Sequence, residues 1–443
     1  MERGGTQYPI GTQPCYDLLL KLKGIDRSGS RVAEFLYNHL GQRVKLIRGD
    51  SSDNAGWTEH RYQHPMKWLT GVYNYGGNNM TPLSRFDYAE HDLVGNRTMI
   101  RFAQKQPDGK AFFVRRRYEY DALYQLTREW TRGAVEYEHR WEYDRVGNRT
   151  YFLKRRAGEV EETVYAYNAA NQLLREESSV SGVTEYRYDG NGNQVEKRRG
   201  RRRTRYVYDI EDRLRLAFGP EGLGFYLHDA LGRRILRFAI TFNPKEVPYF
   251  SMGMGSERDR RCGRGRSNHS HQRRSRNSAS QNNADSAADS DAALRRWLDG
   301  TMLDLESGCG YGLRHLVRLM DGIKGRLPRK FRRRIVLERY FHDGADVIAD
   351  YDLFGRHCRA LYVAPFLDEN LLVERELGCE KRRYWYTQDG LGSVRQLIDH
   401  NGNVQNSYTY TAWGVPLNWR QRISNRYTFT GREWNAESAL YHY

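Results

Sequence analysis

Tyr143-Asp144-Arg145-Val146-Gly147-Asn148-Arg149-Thr150 is the stretch whose reading decides the fold. Asp is favoured at the first position of a type I turn because its side chain accepts hydrogen bonds from backbone NH groups ahead of it. Gly three residues on supplies the positive φ that closes a hairpin, and the following Asn-Arg-Thr carries the chain into a return strand. The pattern recurs on both sides. Tyr118-Glu-Tyr120-Asp121 precedes it. Tyr165-Ala-Tyr167-Asn168, Tyr186-Arg-Tyr188-Asp189 with Gly192, Tyr206-Val-Tyr208-Asp209, and Tyr226-Leu-His228-Asp229 with Gly232 follow it. Successive Asp or Asn positions from 121 to 229 lie 23, 24, 21, 20 and 20 residues apart.

A period near 20 residues leaves room for two strands of about six or seven residues plus their turns. Tyr-x-Tyr has the period of a strand, so both rings fall on one face, where they can stack on neighbouring strands. Aromatic layers are therefore expected in place of a conventional core. One hairpin is marginal alone, so the copies must join into a continuous sheet. Weaker copies extend the pattern: Tyr37-Asn38 with Gly41, His91-Asp92 with Gly95-Asn96, Tyr351-Asp352 with Gly355, and Asp389 with Gly392. His91 and His228 occupy tyrosine slots and read as strand-face residues. Asn-Arg-Thr at 96–98 and 148–150 matches a glycosylation sequon but reads as a turn exit.

The composition agrees. The chain has 443 residues, a hydrophobic fraction of 39%, 32 Tyr against 16 Phe, and 42 Gly, a mixture that suits strands and tight turns. Its five cysteines are odd in number, far apart and without a Cys-x-x-Cys pair, so neither a disulfide framework nor a zinc or redox motif is expected. No signal sequence is legible at the N-terminus, and no window approaches the roughly 18 apolar residues of a membrane span. Of the net charge of +17, residues 250–334 supply +10, with 19 Lys and Arg against 9 Asp and Glu. The basic character is thus local.

Taken together, these residues resemble the Rhs and YD-repeat family, which includes bacterial polymorphic toxins, insecticidal toxin-complex C components and teneurins. The resemblance covers about residues 37–242 and 335–443. Its most specific parts are Tyr340-Phe-His342-Asp343-Gly344-Ala-Asp346 through Asp350-Tyr351-Asp352, and Asp389-Gly-Leu-Gly392-Ser393-Val394-Arg395. Tyr408-Thr-Tyr410 through Trp413-Gly414 and Phe429-Thr430-Gly431-Arg432-Glu433-Trp434 belong to it too. In that family such repeats wind a long sheet into a hollow cocoon that holds a toxin segment. The resemblance implies that fold, a toxin polypeptide or the rest of a larger shell as partner, and export by a dedicated system. Many relatives continue into an Arg-x-Arg-Tyr-Tyr-Asp-Pro-like end with a self-cleavage aspartate. This sequence stops at Tyr443, so no cleavage residue is carried over, and the chain reads as a core fragment or degenerate copy.

The resulting division is a lead-in at 1–36 that reads as a degenerate repeat, a YD-repeat sheet at 37–249, an insertion at 250–334 and a further β segment at 335–443. The insertion begins with a stretch almost free of apolar residues, expected to be disordered, and continues with short amphipathic helices around Leu294–Leu298 and Leu313–Met320. Its Arg273-Arg274 and Arg332-Arg333-Arg334 could meet an acidic partner, but the aromatic interleaving that stacks bases is sparse, and nucleic acid is not expected. Glu306-Ser-Gly308-Cys-Gly310-Tyr-Gly312 is similar to the turn of methyltransferases that bind S-adenosylmethionine, with Glu338 as a ribose-binding acid. A doubly wound domain needs several βα units and only one fits here, so that reading stays remote. No H-E-x-x-H, Gly-x-Ser-x-Gly or Walker loop occurs, and no catalytic, cofactor-binding or metal-ligating residue is proposed. The expected protein is mainly β, a partial spiral shell of antiparallel hairpins that acts structurally rather than as an enzyme. The competing reading is a surface adhesion or carbohydrate-binding repeat, which an exposed aromatic groove would favour over an enclosed ring layer.

Overall fold

A computed structural model describes residues 12–242 and 335–442, apart from short stretches at 18–20, 28, 50–54, 64–65, 78–80, 353–356, 367 and 378–379. The expected helices, the Gly308–Gly312 turn, the arginine clusters of the insertion and Gly355 lie outside the described residues. Within them the chain forms one 28-stranded sheet, from β1 (Thr12–Tyr16) to β28 (Pro416–Gln421), and a small two-stranded sheet of β29 (Glu433–Asn435) and β30 (Leu440–His442). Each strand of the large sheet pairs antiparallel with the next in sequence: β1 with β2 (Leu22–Arg27), and so on to β27 (Val404–Tyr410) with β28. The meander continues across the stretch between residues 242 and 335, because β20 (Arg234–Thr241) pairs with β21 (Ile335–Asp343) through Leu236↔Arg339 and Phe238↔Leu337.

Alternation along each strand separates two faces. In β9 (Ala111–Tyr120), Phe112, Val114 and Arg116 are buried while Phe113, Arg115 and Arg117 are exposed. In β11 (Tyr137–Tyr143), Tyr137, His139 and Trp141 are buried and Arg140 and Glu142 exposed. The ring-bearing face is inward. Opposite it runs a charged ladder in which Glu138 meets Arg128, Arg140 and Arg155 at 2.8, 2.7 and 2.9 Å.

The sheet rolls over itself. Leu22, Ile25, Phe35 and Leu46 of the first strands pack with Leu372, Trp385, Ile398 and Val404 of the late strands. Those late strands turn their other face, with Tyr384, Tyr386, Leu397, Tyr408 and Tyr410, towards Ile423, Tyr427 and Phe429. The order from outside inward is therefore early strands, late strands, then the segment after β28. This corrects the expectation that aromatic layers replace a conventional core. Where two coils overlap, both faces of the inner one are buried, and where the first strands meet the late ones mainly aliphatic residues fill the space between them.

Candidate functional site: the turn edge, the inner face and the junction of the coils

Asp144 shows how the repeat closes. Its backbone NH donates to Asn148 O (2.9 Å) and its C=O accepts from Gly147 NH (3.1 Å). Its Oδ1 accepts from the NH groups of Val146 (3.0 Å) and Asn148 (2.8 Å), while Oδ2 accepts from Asn148 Nδ2 (2.9 Å). Gly147 sits at φ 92, and the register shifts between Glu142 and Tyr143, as in a three-residue hairpin loop with a bulge. The backbone bonds repeat at Asp121, Asn168, Asp189, Asp209, Asp229 and Asp389, and at Asn38, Asp92 and Asp399. Gly192, Gly232 and Gly392 take the left-handed position as expected. Tyr124 (φ 61), Asn171 (φ 59) and Asp212 (φ 60) take it in turns without Gly. Asp352 closes a loop one residue longer, onto His357 O (3.0 Å).

The second tyrosine of each pair has a task that stacking arguments missed. Tyr120, Tyr143, Tyr167, Tyr188 and Tyr208 donate their hydroxyls to the carbonyls of Arg97, Leu126, Arg149, Leu173 and Gln194, at 3.0, 2.7, 2.9, 2.9 and 3.1 Å. Tyr37, Tyr62 and Tyr410 do the same to Leu22, Arg43 and Val394 at 2.8, 3.0 and 2.8 Å. In all eight the acceptor is five residues after a turn Asp or Asn, Asp17 being the turn residue before Leu22. The backbone ladder between successive hairpins has already ended there: β14 (Leu173–Ser178) and β15 (Gly182–Tyr188) pair only as far as Arg175↔Glu185. The hydroxyl supplies the bond that the splaying backbones no longer make. Only the acceptor keeps a fixed offset from the turn; the donor Tyr follows that turn by 19 to 28 residues, so the sequence carries no constant spacing for the pair.

The first tyrosines lie deeper. Tyr186, Tyr206 and Tyr226 are buried, while Tyr118 and Tyr165 are half-buried under charged partners: Arg116 donates to the Tyr118 hydroxyl (3.4 Å), and Arg149 stands 4.7 Å from the Tyr165 ring centre. Burial raises the pKa of Tyr120 and Tyr165 to about 12. Tyr226 donates to Glu437 (2.7 Å). The rings thus form a packed inward layer. His91 and His228 stand on the same face, His91 against Trp68 with ring centres 5.1 Å apart and His228 towards His442 at 6.3 Å.

Polar contacts join the coils. Gln104 donates to Ser407 Oγ (2.8 Å), Gln396 to Lys105 O (2.7 Å), and Arg116 to Tyr410 O (2.7 Å). Glu129, wholly buried, accepts Ala412 NH (3.0 Å) and Tyr137 OH (2.7 Å) beside Arg116. Burial raises the Glu129 pKa, but Arg116, His139 and the other donors outweigh it and hold it below the usual carboxylate range.

Beyond β28 the chain docks through buried charge. Arg426 makes a bidentate pair with Asp350 (2.6 and 2.8 Å), which also accepts Tyr362 OH (2.6 Å). Arg237 meets Glu437 (2.6 Å) and Glu433 (3.3 Å), Arg234 meets Glu433 (3.3 Å), and Tyr340 OH donates to Glu433 (3.0 Å). Burial raises the pKa of Glu433, yet Arg426, Arg234 and Arg237 bring it down to about 2. Tyr340, Asp350 and Glu433 stand in the motifs that carry the family resemblance, but no docking role was read from them, and Arg234, Arg237, Arg426 and Glu437 are isolated charges that carry no period.

Cavities lie along the junction. One of about 490 Å³ is bordered by Arg43, His60, Glu369 and Tyr386; burial, then Arg43 and Arg48, lowers the His60 pKa to about 3. Another, of about 210 Å³, is bordered by Arg234, His342, Asp346 and His442. Burial, then Asp368 and Asp343, raises the Asp346 pKa to about 6. A third lies around Arg395. Among the described residues no group of three or more His, Cys, Asp or Glu is placed to hold a metal ion, and no helix is long and apolar enough to cross a membrane. Cys15 and Cys358 are free thiols.

No family model matches the sequence, and no curated protein matches it. Solved structures do. A crystal structure of TcdB2-TccC3 is similar over 98% of this chain, with 14% identity and a TM-score of 0.53. A TcdB2-TccC3 structure without the hypervariable C-terminal region and the Photorhabdus luminescens Tc holotoxin pore give the same coverage, identity and score. At this identity the likeness is one of fold. The chain spans 19%, 18% and 18% of the chains it matches.

Proposed function

We propose that this chain is a segment of an Rhs-type, toxin-complex-like β-shell whose ring-lined face borders a space for a polypeptide cargo, with a structural rather than catalytic role. One observation carries the reading: the described residues form a single antiparallel sheet of 28 strands that turns the rings of its middle hairpins inward and overlaps itself, early strands outside late ones. A sugar-binding repeat needs exposed rings on a groove, whereas Tyr137, Tyr186, Tyr206 and Tyr226 are buried. The fold-level likeness to toxin-complex chains supports the same reading.

Cargo protection tests it. An unstructured reporter polypeptide fused after Tyr443 is expected to be digested more slowly by protease than the same reporter fused to an unrelated β-sheet protein. Equal digestion rates would overturn the reading.

A further inference from the structure

We propose that the cavity around Arg395 is a binding site for a small carboxylate. It encloses about 260 Å³ where Phe86, Arg97, Phe102 and Arg116 of the outer coil face Asp389, Arg395 and Tyr410 of the inner one. This inference does not rest on the shell reading and would survive its failure.

Arg395 carries the argument. Its side chain is 4% exposed, its Nε has no hydrogen-bond partner, and the nearest carboxylate, Asp389, stands 3.6 Å away. Three rings pack against it, Phe86, Phe102 and Tyr410, with centres 4.9, 4.8 and 5.8 Å from the guanidinium carbon. Rings attract a cation but accept no conventional hydrogen bond from it, and a buried guanidinium left without acceptors is costly. Arg116, Arg234 and Arg426 share an Nε without a hydrogen-bond partner, but their terminal nitrogens reach close acceptors: Tyr410 O (2.7 Å), Asn435 Oδ1 (3.0 Å) and Asp350 (2.6 Å). Arg237 has Glu437, and Arg48 donates to Trp57 O (3.0 Å) and Tyr75 O (2.8 Å).

The surrounding charge points the same way. Arg97 donates to Gly390 O (3.1 Å), and Arg116 is engaged by Tyr410 O and, at 3.2 Å, by Glu129. Arg97, Arg116 and Arg395 border the cavity against Asp389, with Glu129 paired to Arg116, so three guanidinium groups meet two carboxylates and a positive excess of one remains. A planar guanidinium fork matches a carboxylate in bidentate geometry. Ile100, Leu126 and Phe429 complete the wall with apolar surface, which favours an acid on a compact apolar or aromatic body over heavily hydrated phosphate. The volume lies just under the range of roughly 300–1,000 Å³ typical of drug-sized ligands, so that body is small.

Calorimetric titration of the full chain with sodium benzoate at constant ionic strength tests the site, with inorganic phosphate as a second probe. Saturable binding of benzoate at one site is expected, weakened at least about tenfold, a bidentate ion pair's worth, by Arg395→Met. Asp389→Asn removes the competing charge and is expected to tighten binding. Asn closes the equivalent turns at Asn38 and Asn168, so this variant stays informative if Arg395→Met does not fold. Absent benzoate binding, equal affinity in Arg395→Met, no tightening in Asp389→Asn, or phosphate bound in place of benzoate would each overturn the proposal.

Discussion

A tyrosine hydroxyl that donates to the first carbonyl of the preceding strand does a backbone's work with a side chain, and the chain repeats the device from Tyr37 to Tyr410. Tyr188→Phe removes one such bond and little else, since the ring keeps its packing. It is expected to lower stability by about 1 kcal/mol, measured by denaturant unfolding. Tyr124 poses the opposite case, because it holds φ 61 on an exposed turn that Gly occupies in the neighbouring copy. A left-handed conformation costs a non-glycine residue roughly 1 kcal/mol, so Tyr124→Gly is expected to gain about that much in the same assay, whereas Gly147→Ala is expected to lose it. The turn residues were legible because their bonds close within five residues. The hydroxyl bonds were not, because Tyr-x-Tyr alone says which face a ring takes, and nothing about where its oxygen ends.

Hairpins set the element scale, and charge decides how the last elements dock. Arg426, Asp350, Glu433, Arg237 and Glu437 exchange hydration for one another, so removing one partner strands another in an apolar setting. Arg426→Met is expected to cost about 3–5 kcal/mol by denaturant unfolding, more than the loss of any exposed pair on the outer face. The acid response follows with a definite sign. Glu433 falls to about 2 in the fold, so its stabilisation is complete above its unfolded value near 4.5 and is lost as pH drops from there towards 2. His60, His228, His342 and His442 lie at about 3, 4, 4 and 3, below the ordinary 6.5, so the neutral forms favour folding and stability falls as pH drops from 6.5 towards 3. Asp346, raised to about 6, works weakly the other way between its ordinary value and 6. The net expectation is a midpoint temperature that declines steadily from pH 7 to pH 4. A flat profile would show that these groups do not titrate with folding.

At the scale of the whole molecule, an antiparallel meander has no reason in its local sequence to overlap itself. Its repeats specify neighbours, and the hairpin period was readable for that reason. The contacts that make a spiral, such as Gln104 to Ser407 or Glu129 to Ala412, join residues about three hundred positions apart and leave no period to find. Only the two-sided burial of Trp385, Ile398 and Tyr386 records them, and apolar residues on both faces of a strand are equally consistent with many packings. The central claim is therefore the rolling of the sheet. Leu93, between β7 (Ser84–His91) and β8 (Arg97–Lys105), and Leu391, between β25 (Glu380–Gln388) and β26 (Val394–Asp399), are exposed turn tips next to the Arg97–Gly390 hydrogen bond between the coils. Spin labels at these two positions, with the native cysteines replaced by serine, report the separation directly by pulsed electron resonance. Overlapping coils predict on the order of 10–20 Å, set by sheets packed roughly 10 Å apart plus the label arms. A sheet that does not roll would place these turns about eighteen strand spacings apart, roughly 85 Å, and a distance of that order would contradict the account.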